Sequence, residues 1–473
     1  MSGLFTTLNA LTTALDAQTQ AINITSNNIA NVNNPNYSLE SPVYEDRGTV
    51  NTAEGPQSLG ISVTTKQARD AVLDQMVRQE ASLTAGFQAQ QNVFQQAQAS
   101  LGENITSTSS SGSASTTTES GLSAALDSFF NAFEGYAADP TNTSTGQALL
   151  EQAGVLTDRF QQVDQSLGQV QTGITNQVTS DISSANTLLQ QVATLNSQIG
   201  SVEVNSPGSA VGLRDQREGY LEQLAGLMPV TVTENSKGED LVTATSSGSS
   251  VTLVNNGTVV GPLSYSSGSV IAGSGSGAHT LTLSSGSIAG NITASTGAVQ
   301  TLQDSLDALA SQIVTSVNTA YNPGSTATGN FFNSAGTAAG TIALDSHLTS
   351  STLHAGVGSA GDNSIALAVA GVANQVFSTG GGAAITGTID QYYGSVVSSI
   401  GQALSTANTQ VTDQTNVQTI VNNQRSSVSG VSIDQEMSNL MSYQRAYQAS
   451  SEVFQVVNTL LSNLVTNLTA LSG

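Results

Sequence analysis

Apolar residues at both ends of the chain follow the spacing of a helix that packs on another helix. From residue 4 to residue 29 they recur at alternating intervals of four and three, with Gln18 and Thr25 in two of the positions. The same alternation runs from residue 440 to residue 471, with Ser450 as the polar exception. Two such stripes at opposite ends most simply pair as a coiled coil. They consist of Leu4, Leu8, Leu11, Leu15, Ile22, Ile29, Leu440, Tyr443, Tyr447, Phe454, Val457, Leu461, Leu464, Leu468 and Leu471.

Two amphipathic helices packed separately on an ordinary globular core would show the same pattern, and this alternative stays open. A lone pair of these helices buries apolar side chains along one stripe only, whereas helices draw most of their stability from packing. We therefore expect the pair to be loose in the free monomer. Neighbouring copies are expected to supply the missing contacts, so the two stripes are also predicted to be an assembly interface.

The segment "ITSNNIANVNNPNYS", residues 24–38, contains six Asn. Asn is a poor residue inside helices but is common in caps and turns. Pro35 disfavours helical geometry at the preceding residue and is well suited to a turn. The segment therefore predicts a helix end followed by a turn, although a solvated surface loop would also be rich in Asn. The turn residues are Asn27, Asn28, Asn31, Pro35, Asn36 and Tyr37.

Most of the remaining chain shows helical periodicity, and one stretch does not. Residues 229–290 alternate Val, Leu and Ile with Ser and Thr and are punctuated by Gly and Asn-Gly, which predicts a small all-β insertion. The fold class predicted is thus mainly α with a small all-β inserted domain. The helical stretches are residues 66–101, 122–133, 145–199, 212–228, 299–321 and roughly 389–428.

This pattern predicts three domains. Residues 1–36 and 436–473 form a terminal helical coiled-coil domain, residues 37–228 and 291–435 a helical middle domain, and residues 229–290 an outer β domain. The chain thus runs from the terminal domain through the middle domain to the β domain and then returns. At 473 residues it is long enough for two or three cores.

Composition narrows the function classes. Ten Lys and Arg against 33 Asp and Glu give a formal net charge of −23, which would repel a nucleic acid backbone. Cysteine is absent, so neither disulfides nor thiolate metal sites are available. No stretch approaches the roughly 18 consecutive apolar residues of a membrane span. The first 20 residues contain no Lys or Arg and no continuous apolar block, so we expect no cleaved signal peptide and no membrane insertion.

Several segments resemble one family, the bacterial flagellar hook-associated proteins of the FlgK type. "SNNIAN" (26–31), followed by a Pro and a Tyr-Ser pair, resembles an N-terminal signature that rod and hook proteins share. Residues 429–464, "SGVSIDQEMSNLMSYQRAYQASSEVFQVVNTLLSNL", are much closer to the FlgK type. The internal segments "GLRDQREGYLEQLAGLMPVTV", "VNTAYNPGSTATGNFF" and "GDNSIALAVAGV" agree as well. The resemblance spans nearly the whole chain.

The sequence departs from this family at two points. Relatives commonly have Gly where this chain has Asn36, and Asn is the residue other than Gly that best tolerates a positive φ, so the turn is expected to be preserved. Many relatives carry a further inserted domain after the "FF" segment. Here only a short connection follows Phe332, which predicts a compact version with one β domain.

The resemblance implies a structural axial protein, with no cofactor, that forms the junction zone between hook and filament by helical self-assembly. Its partners would be other copies of itself, the hook protein, a second hook-filament junction protein, a cytoplasmic export chaperone and the flagellar type III export apparatus. It would lie outside the cell, in the flagellum. The Asn-rich turn would carry the chain from the inner tube layer to the next layer outward. Before export the chaperone would hold the C-terminal end, with Leu461, Leu464 and Leu468 as candidate contacts.

An enzyme is the weaker interpretation of the polar residues. His347 and His354 lack the nearby carboxylate or Cys spacing of a metal site, and with His279 they are expected on the surface. No G-x-S-x-G elbow stands between a strand and a helix. Asp434 and Glu436 could be an acid/base pair but are better explained as acidic residues that favour a helix N-terminus.

Three further polar residues have structural interpretations. Ser432 is a candidate helix cap, and Arg425 and Arg445 are candidates for ion pairs between helices. Two other function classes stay open. A secreted adhesin or host-contact protein would fit the Ser/Thr-rich β region, and an exported hydrolase with a flagellar-like export end is a third class.

Overall fold

The computed structural model describes residues 2–52, 55–103, 121–324, 329–359 and 361–471, with only the backbone for residues 2, 3, 52, 57 and 468–471. The elements follow in the order α1 (Ser2–Ala30), β1 (Glu40–Asp46), β2 (Thr49–Thr52), β3 (Gly55–Ser58), β4 (Ile61–Gln67), α2 (Ala71–Ser100), α3 (Leu122–Ala138), α4 (Thr143–Val202), α5 (Val211–Leu227), β5 (Thr231–Glu234), β6 (Asp240–Ser246), β7 (Ser249–Asn255), β8 (Thr258–Val259), β9 (Leu263–Ser266), β10 (Ser269–Ala272), β11 (His279–Thr280), α6 (Gly286–Ala294), α7 (Gln300–Tyr321), α8 (Ser364–Gly371), α9 (Ile389–Ser429) and α10 (Ile433–Leu471).

The chain forms two compact units. One comprises residues 1–84, 181–286 and 414–473, and the other residues 85–180 and 287–413. The first unit holds the paired termini, strands β1 to β11 and α5. The predicted fold class, mainly α with paired terminal helices and a small β insertion, is confirmed. The division into three domains with the predicted boundaries stays a prediction.

The terminal helices α1 and α10 pack along each other, as the two stripes predicted. Asn28, at the end of α1, contacts Glu436, in the first turn of α10, so the two helices run antiparallel. A helix rises about 1.5 Å per residue, and Leu4 therefore lies level with about residue 460. The last ten or so residues of α10 extend beyond the start of α1. This overhang explains why Leu464 of the C-terminal stripe is exposed.

Residues 40–67 form a β ribbon that the sequence did not predict. Strand β1 pairs with β4 and β2 pairs with β3, all antiparallel, in one long hairpin. The ribbon packs on α1, where Gly60 lies so close that a Cβ would collide with the Thr13 side chain. Most of the ribbon's residues are exposed. Because neither face is continuously buried, its sequence shows no clear alternation of apolar and polar residues.

The β insertion contains two small antiparallel sheets. One has the strand order β5-β6-β7-β8 and the other the order β11-β10-β9. Its strands end at Thr280, and residues 286–290, which the sequence assigned to the β region, begin helix α6. The apolar residues Ile288 and Ile292 are four apart, which suits a helix, but the stretch is too short to distinguish the two periods.

Helix α4 anchors the insertion through two Asn side chains. The Asn196 amide, fully buried, donates to the carbonyls of Asp240 and Asn256, and its oxygen accepts from the Asp240 N–H and from Arg217. Asn186 exchanges two 2.8 Å hydrogen bonds with the backbone of Leu263. Each of these Asn side chains thereby hydrogen-bonds to both an N–H and a C=O of the strand backbone, as the backbone of a neighbouring strand would.

The second unit is built around an aromatic core. Phe129, Phe133, Phe331 and Tyr321 pack with ring centroids 5.0–5.8 Å apart, mostly edge to face. Asn318 of α7 holds the "FF" segment by donating to the Phe332 carbonyl and accepting from the N–H groups of Phe331 and Phe332. The predicted helical stretch 122–133 lies within α3 and supplies Phe129 and Phe133 to this cluster.

Candidate assembly interface at the paired termini

The most buried residues of α1 are not the apolar residues of the predicted stripe. Ala17, Ala21 and Ile24 are buried, together with Asn28 and Thr25, and of these only Thr25 occupies a position of the stripe. The predicted residues Leu4, Leu8, Leu11, Leu15, Ile22 and Ile29 are all half-buried. The reason is that α1 lies between two partners, α10 on one side and the β ribbon on the other. Small residues lie where α1 comes closest to these partners, and the apolar residues of the stripe lie beside them.

On α10 the seam is also half-buried. Its half-buried residues include Leu440, Tyr443, Phe454, Val457 and Leu461. Ala446 is half-buried, whereas the predicted neighbour Tyr447 is 40 % exposed, as is Leu464 in the overhang. The side chains of Leu468 and Leu471 lie outside the described residues. The assignment of both stripes to contacts between copies stays a prediction.

Asn28 is the centre of a buried hydrogen-bond network at the joint of the termini. Its amide donates to Glu436 Oε2 at 2.7 Å and to the Glu40 carbonyl at 2.8 Å. Its oxygen accepts from the Tyr37 hydroxyl at 2.8 Å and from the Glu40 N–H at 3.0 Å. Both hydrogens and both lone pairs of the amide are therefore used. One side chain joins α1, the Asn-rich turn, β1 and α10.

The Asn-rich segment divides into a helical part and a turn. Helix α1 continues to Ala30, and the exposed Asn31 amide donates to the Asn27 carbonyl. A β-turn then runs from Asn34 to Tyr37, closed by a 3.1 Å hydrogen bond from the Tyr37 N–H to the Asn34 carbonyl. Pro35 occupies its second position, which suits its fixed φ.

Asn36 does not use the left-handed conformation that the sequence suggested. Among the described residues, positive φ outside glycine occurs at Ser247, Asn256 and Ser267. A turn with a negative φ at its third position accepts most residues, so Gly is not required there. The Asn36 side chain instead packs on α5, where a Cβ on Gly219 would lie 2.8 Å from its Nδ2.

Acidic groups surround the network. Burial, with a smaller contribution from the nearby Asp215 carboxylate, raises the pKa of Glu40 to about 7. Burial also raises the pKa of the Tyr37 hydroxyl well above its usual value, and Glu40, Asp215 and Glu436 add to this effect. Asp215 itself is held by Arg69 at 2.7 Å and by Gln67 at 2.9 Å. The joint thus contains several carboxyls and few cations.

Helix α5 supplies an ion-pair cluster beside the joint. Its Glu218 pairs with Arg78 and with Arg69, and its Glu222 pairs with Arg425 of α9. The predicted ion pair between helices is therefore present for Arg425. Arg445 is exposed and takes part in no ion pair among the described residues.

One sequence interpretation is confirmed and another needs correction. Glu436 lies in the first turn of α10 as predicted, and it is also 4 % exposed, with its two oxygens accepting from Asn28 and Asn439. His354 was expected on the surface, yet it stacks on Tyr321 with centroids 4.3 Å apart and a 3.0 Å hydrogen bond to the hydroxyl. His279 and His347 are exposed as predicted.

No group of three or more His, Asp and Glu side chains among the described residues is arranged to hold a metal ion. No helix in the described part of the chain is both long and apolar enough to cross a membrane. The geometry instead presents a polar joint with half-buried apolar seams leading away from it.

Comparisons with known proteins agree with this geometry. The family model "Flagella basal body rod protein" matches residues 8–37, and "Flagellar basal body rod FlgEFG protein C-terminal" matches residues 423–468. "Flagellar hook-associated protein FlgK helical domain" matches residues 111–335. These matches confirm the resemblance to the flagellar hook-associated proteins of the FlgK type.

Similar proteins include Flagellar hook-associated protein 1 of Bacillus subtilis, which is 24 % identical over 524 aligned residues covering 99 % of each chain. The proteins of the same name from Escherichia coli and Salmonella typhimurium are each 40 % identical, over 15 % and 16 % of this chain and 13 % and 14 % of theirs. The flagellar hook junction protein FlgK from Burkholderia pseudomallei has a solved structure that is similar with a TM-score of 0.47 at 20 % identity, covering 55 % of this chain and 46 % of that one.

Proposed function

We propose that this chain is a non-enzymatic structural protein of the flagellar axis, which forms the junction zone between hook and filament by helical self-assembly. One observation carries the proposal. The two rod-protein models match opposite ends of the chain, and those ends pack together as α1 and α10. The similarity to Flagellar hook-associated protein 1 over 99 % of both chains supports the same conclusion.

The proposed partners are those of an axial protein. Other copies of the chain and the hook protein contact the terminal helices, and a second junction protein follows toward the filament. A cytoplasmic chaperone binds the C-terminal end, including Leu461, Leu464 and Leu468, before the type III export apparatus moves the chain outside the cell. The overhang of α10 supports this last point, because its apolar residues Leu464 and Val465 are exposed.

The terminal helices form the inner layer in this proposal. The turn after α1, with Asn31, Pro35 and Tyr37, carries the chain outward, and the Asn28 network fixes its direction. The helical middle domain and the β domain follow outside it. A repeated head-to-tail contact that does not close on itself gives a helical tube, as a junction zone requires.

No observation favours the adhesin alternative or a hydrolase. The β insertion is anchored to α4 and α5 by Asn196 and Arg217, which is an ordinary structural role.

The test is binding of the purified chain to isolated hooks, measured by co-sedimentation and electron microscopy. The wild-type chain is expected to add a regular layer at hook ends. Val457→Glu, within the seam, should abolish the layer, whereas Gln455→Glu, on an exposed face of the same helix, should not. Failure of the folded wild-type chain to bind hooks would refute the proposal, and binding to host cells instead would favour the adhesin class.

A further inference from the structure

Helix α10 carries two exposed apolar patches besides its seam with α1. The proximal patch consists of Ile433, Met437 and Met441, each 45–51 % exposed. The distal patch consists of Val453, Val456, Leu460 and Leu464, each 40–60 % exposed. Both patches lie within described residues, and neither faces α1.

The two patches lie on opposite flanks of the seam. An α-helix turns about 100° per residue, so their centres are separated by roughly 145° around the axis of α10. Along the axis the centres are about 32 Å apart at 1.5 Å per residue. One neighbouring helix can therefore cover one patch but not both.

Charge favours a second copy of this chain as the occupant. The chain has 33 acidic residues, but α1 and α10 together contain only Asp16, Asp434, Glu436 and Glu452, besides Arg445. Two copies with a net charge of −23 repel each other except where such a neutral surface is presented. The paired termini are that surface.

We propose that the proximal patch of one copy packs on the distal patch of the next copy, with the two α10 helices parallel. The proposal rests on the proposed function and specifies its contact. Unbranched Met side chains adapt to irregular gaps, so Met437 and Met441 fit against the branched Val and Leu of the distal patch. Joining these patches in parallel helices displaces successive copies by about 32 Å along the helix, and because of this translation the contact repeats without closing.

The first test uses charge on hook-assembled protein. Met437→Glu with Met441→Glu removes the proximal patch, and Val456→Glu with Leu460→Glu removes the distal patch. Each pair has a matched control on an exposed face of the same segment, Ser438→Glu with Ser442→Glu and Gln455→Glu with Thr459→Glu. Both patch variants should lose the layer at hook ends, and both controls should keep it. A patch variant that assembles normally would overturn the proposal.

The second test uses cross-linking and identifies the contact itself. The chain contains no cysteine, so Met437→Cys and Leu460→Cys introduce the only thiols. Within one chain these positions are about 34 Å apart along α10, too far for a disulfide. On hooks, the double variant should give a ladder of cross-linked multimers under oxidation. Each single variant should give none, and neither should Ser438→Cys with Thr459→Cys.

The outcomes separate this inference from the proposed function. A double cysteine variant that assembles on hooks but forms no ladder would overturn the patch contact and leave the function standing, as would a ladder from the control pair. A wild-type chain that does not bind hooks would overturn both.

Discussion

Asn28 of α1 and Glu436 of α10 are joined by a 2.7 Å hydrogen bond although 408 residues separate them in the chain. Both side chains are buried, and Asn28 has no spare hydrogen or lone pair. A buried amide in this position specifies which part of α1 meets which part of α10. The half-buried apolar seam alone would allow the helices to slide by a heptad.

Asn28→Ala should loosen the paired termini. It leaves Glu436 Oε2 and the Glu40 backbone without the Asn28 amide as a partner, and an unsatisfied buried group costs roughly 1–3 kcal/mol. We expect hydrogen exchange in residues 433–445 of the monomer to become about tenfold or more faster. Asn27→Ala, at the exposed neighbouring position, is the control and should change little. Equal effects of the two substitutions would mean that the network does not hold the helices together.

Glu40→Gln should change how stability depends on pH. The pKa of Glu40 is raised from 4.5 to about 7 by burial, so the folded state holds a proton that the unfolded state releases at a lower pH. Wild-type stability therefore falls between pH 5 and pH 8, by an amount on the order of 1–3 kcal/mol, and Gln removes this loss. Thermal unfolding of both proteins across this range is the measurement. A constant difference between their melting temperatures at all pH values would contradict the raised pKa.

Excision of the β insertion should be tolerated only with compensation. Replacing residues 232–283 by a Gly/Ser linker removes the Asp240 carboxylate that pairs with buried Arg217 and the carbonyls that accept from the Asn196 amide. Breaking a buried ion pair from one side costs about 3–5 kcal/mol. The variant that carries only the excision should thus have a melting temperature well below that of the variant that combines the excision with Arg217→Met and Asn196→Leu. If both melt together, the insertion is not held by these contacts. Hook binding should survive in the compensated form.

Leu464→Ala should leave the monomer intact and weaken its associations. Leu464 lies in the overhang of α10 and is exposed, so its truncation removes little from the folded monomer. If it is buried by a chaperone or by neighbouring copies, the loss is about 2–5 kcal/mol. Capture of the chain by its chaperone and layer formation on hooks are the readouts, with thermal unfolding as the check on the fold. A large drop in melting temperature with unchanged capture would place Leu464 in an ordinary core.

The sequence predicted the pairing of the termini but not the network that aligns them. Heptad spacing is visible within each helical segment alone, which is why α1 and α10 were identified. The role of Asn28 depends on Glu436 and Glu40, and no pattern in one sequence reports which distant carboxyl a buried amide will meet. Glu436 was likewise assigned to a helix end, because its position in the first turn explains an acidic residue without any partner.

The β ribbon was missed for a different reason. Where the ribbon packs on α1, Gly60 lies against Thr13. Glycine has no side chain, so this contact adds nothing to the pattern of apolar and polar residues in the sequence. The burial of Ala17 and Ala21 ahead of the leucines has the same origin, since α1 has partners on two sides and its smallest residues mark the closest approach.

The ribbon also determines the order in which the two helices can find partners. During synthesis α1 can dock on the hairpin once residue 67 has emerged, and this local contact closes quickly. Helix α10 is made last and must wait for α1 across almost the whole chain. The ribbon therefore partly covers the N-terminal stripe on the nascent polypeptide, whereas the C-terminal stripe has no packing partner of this kind when it is synthesised.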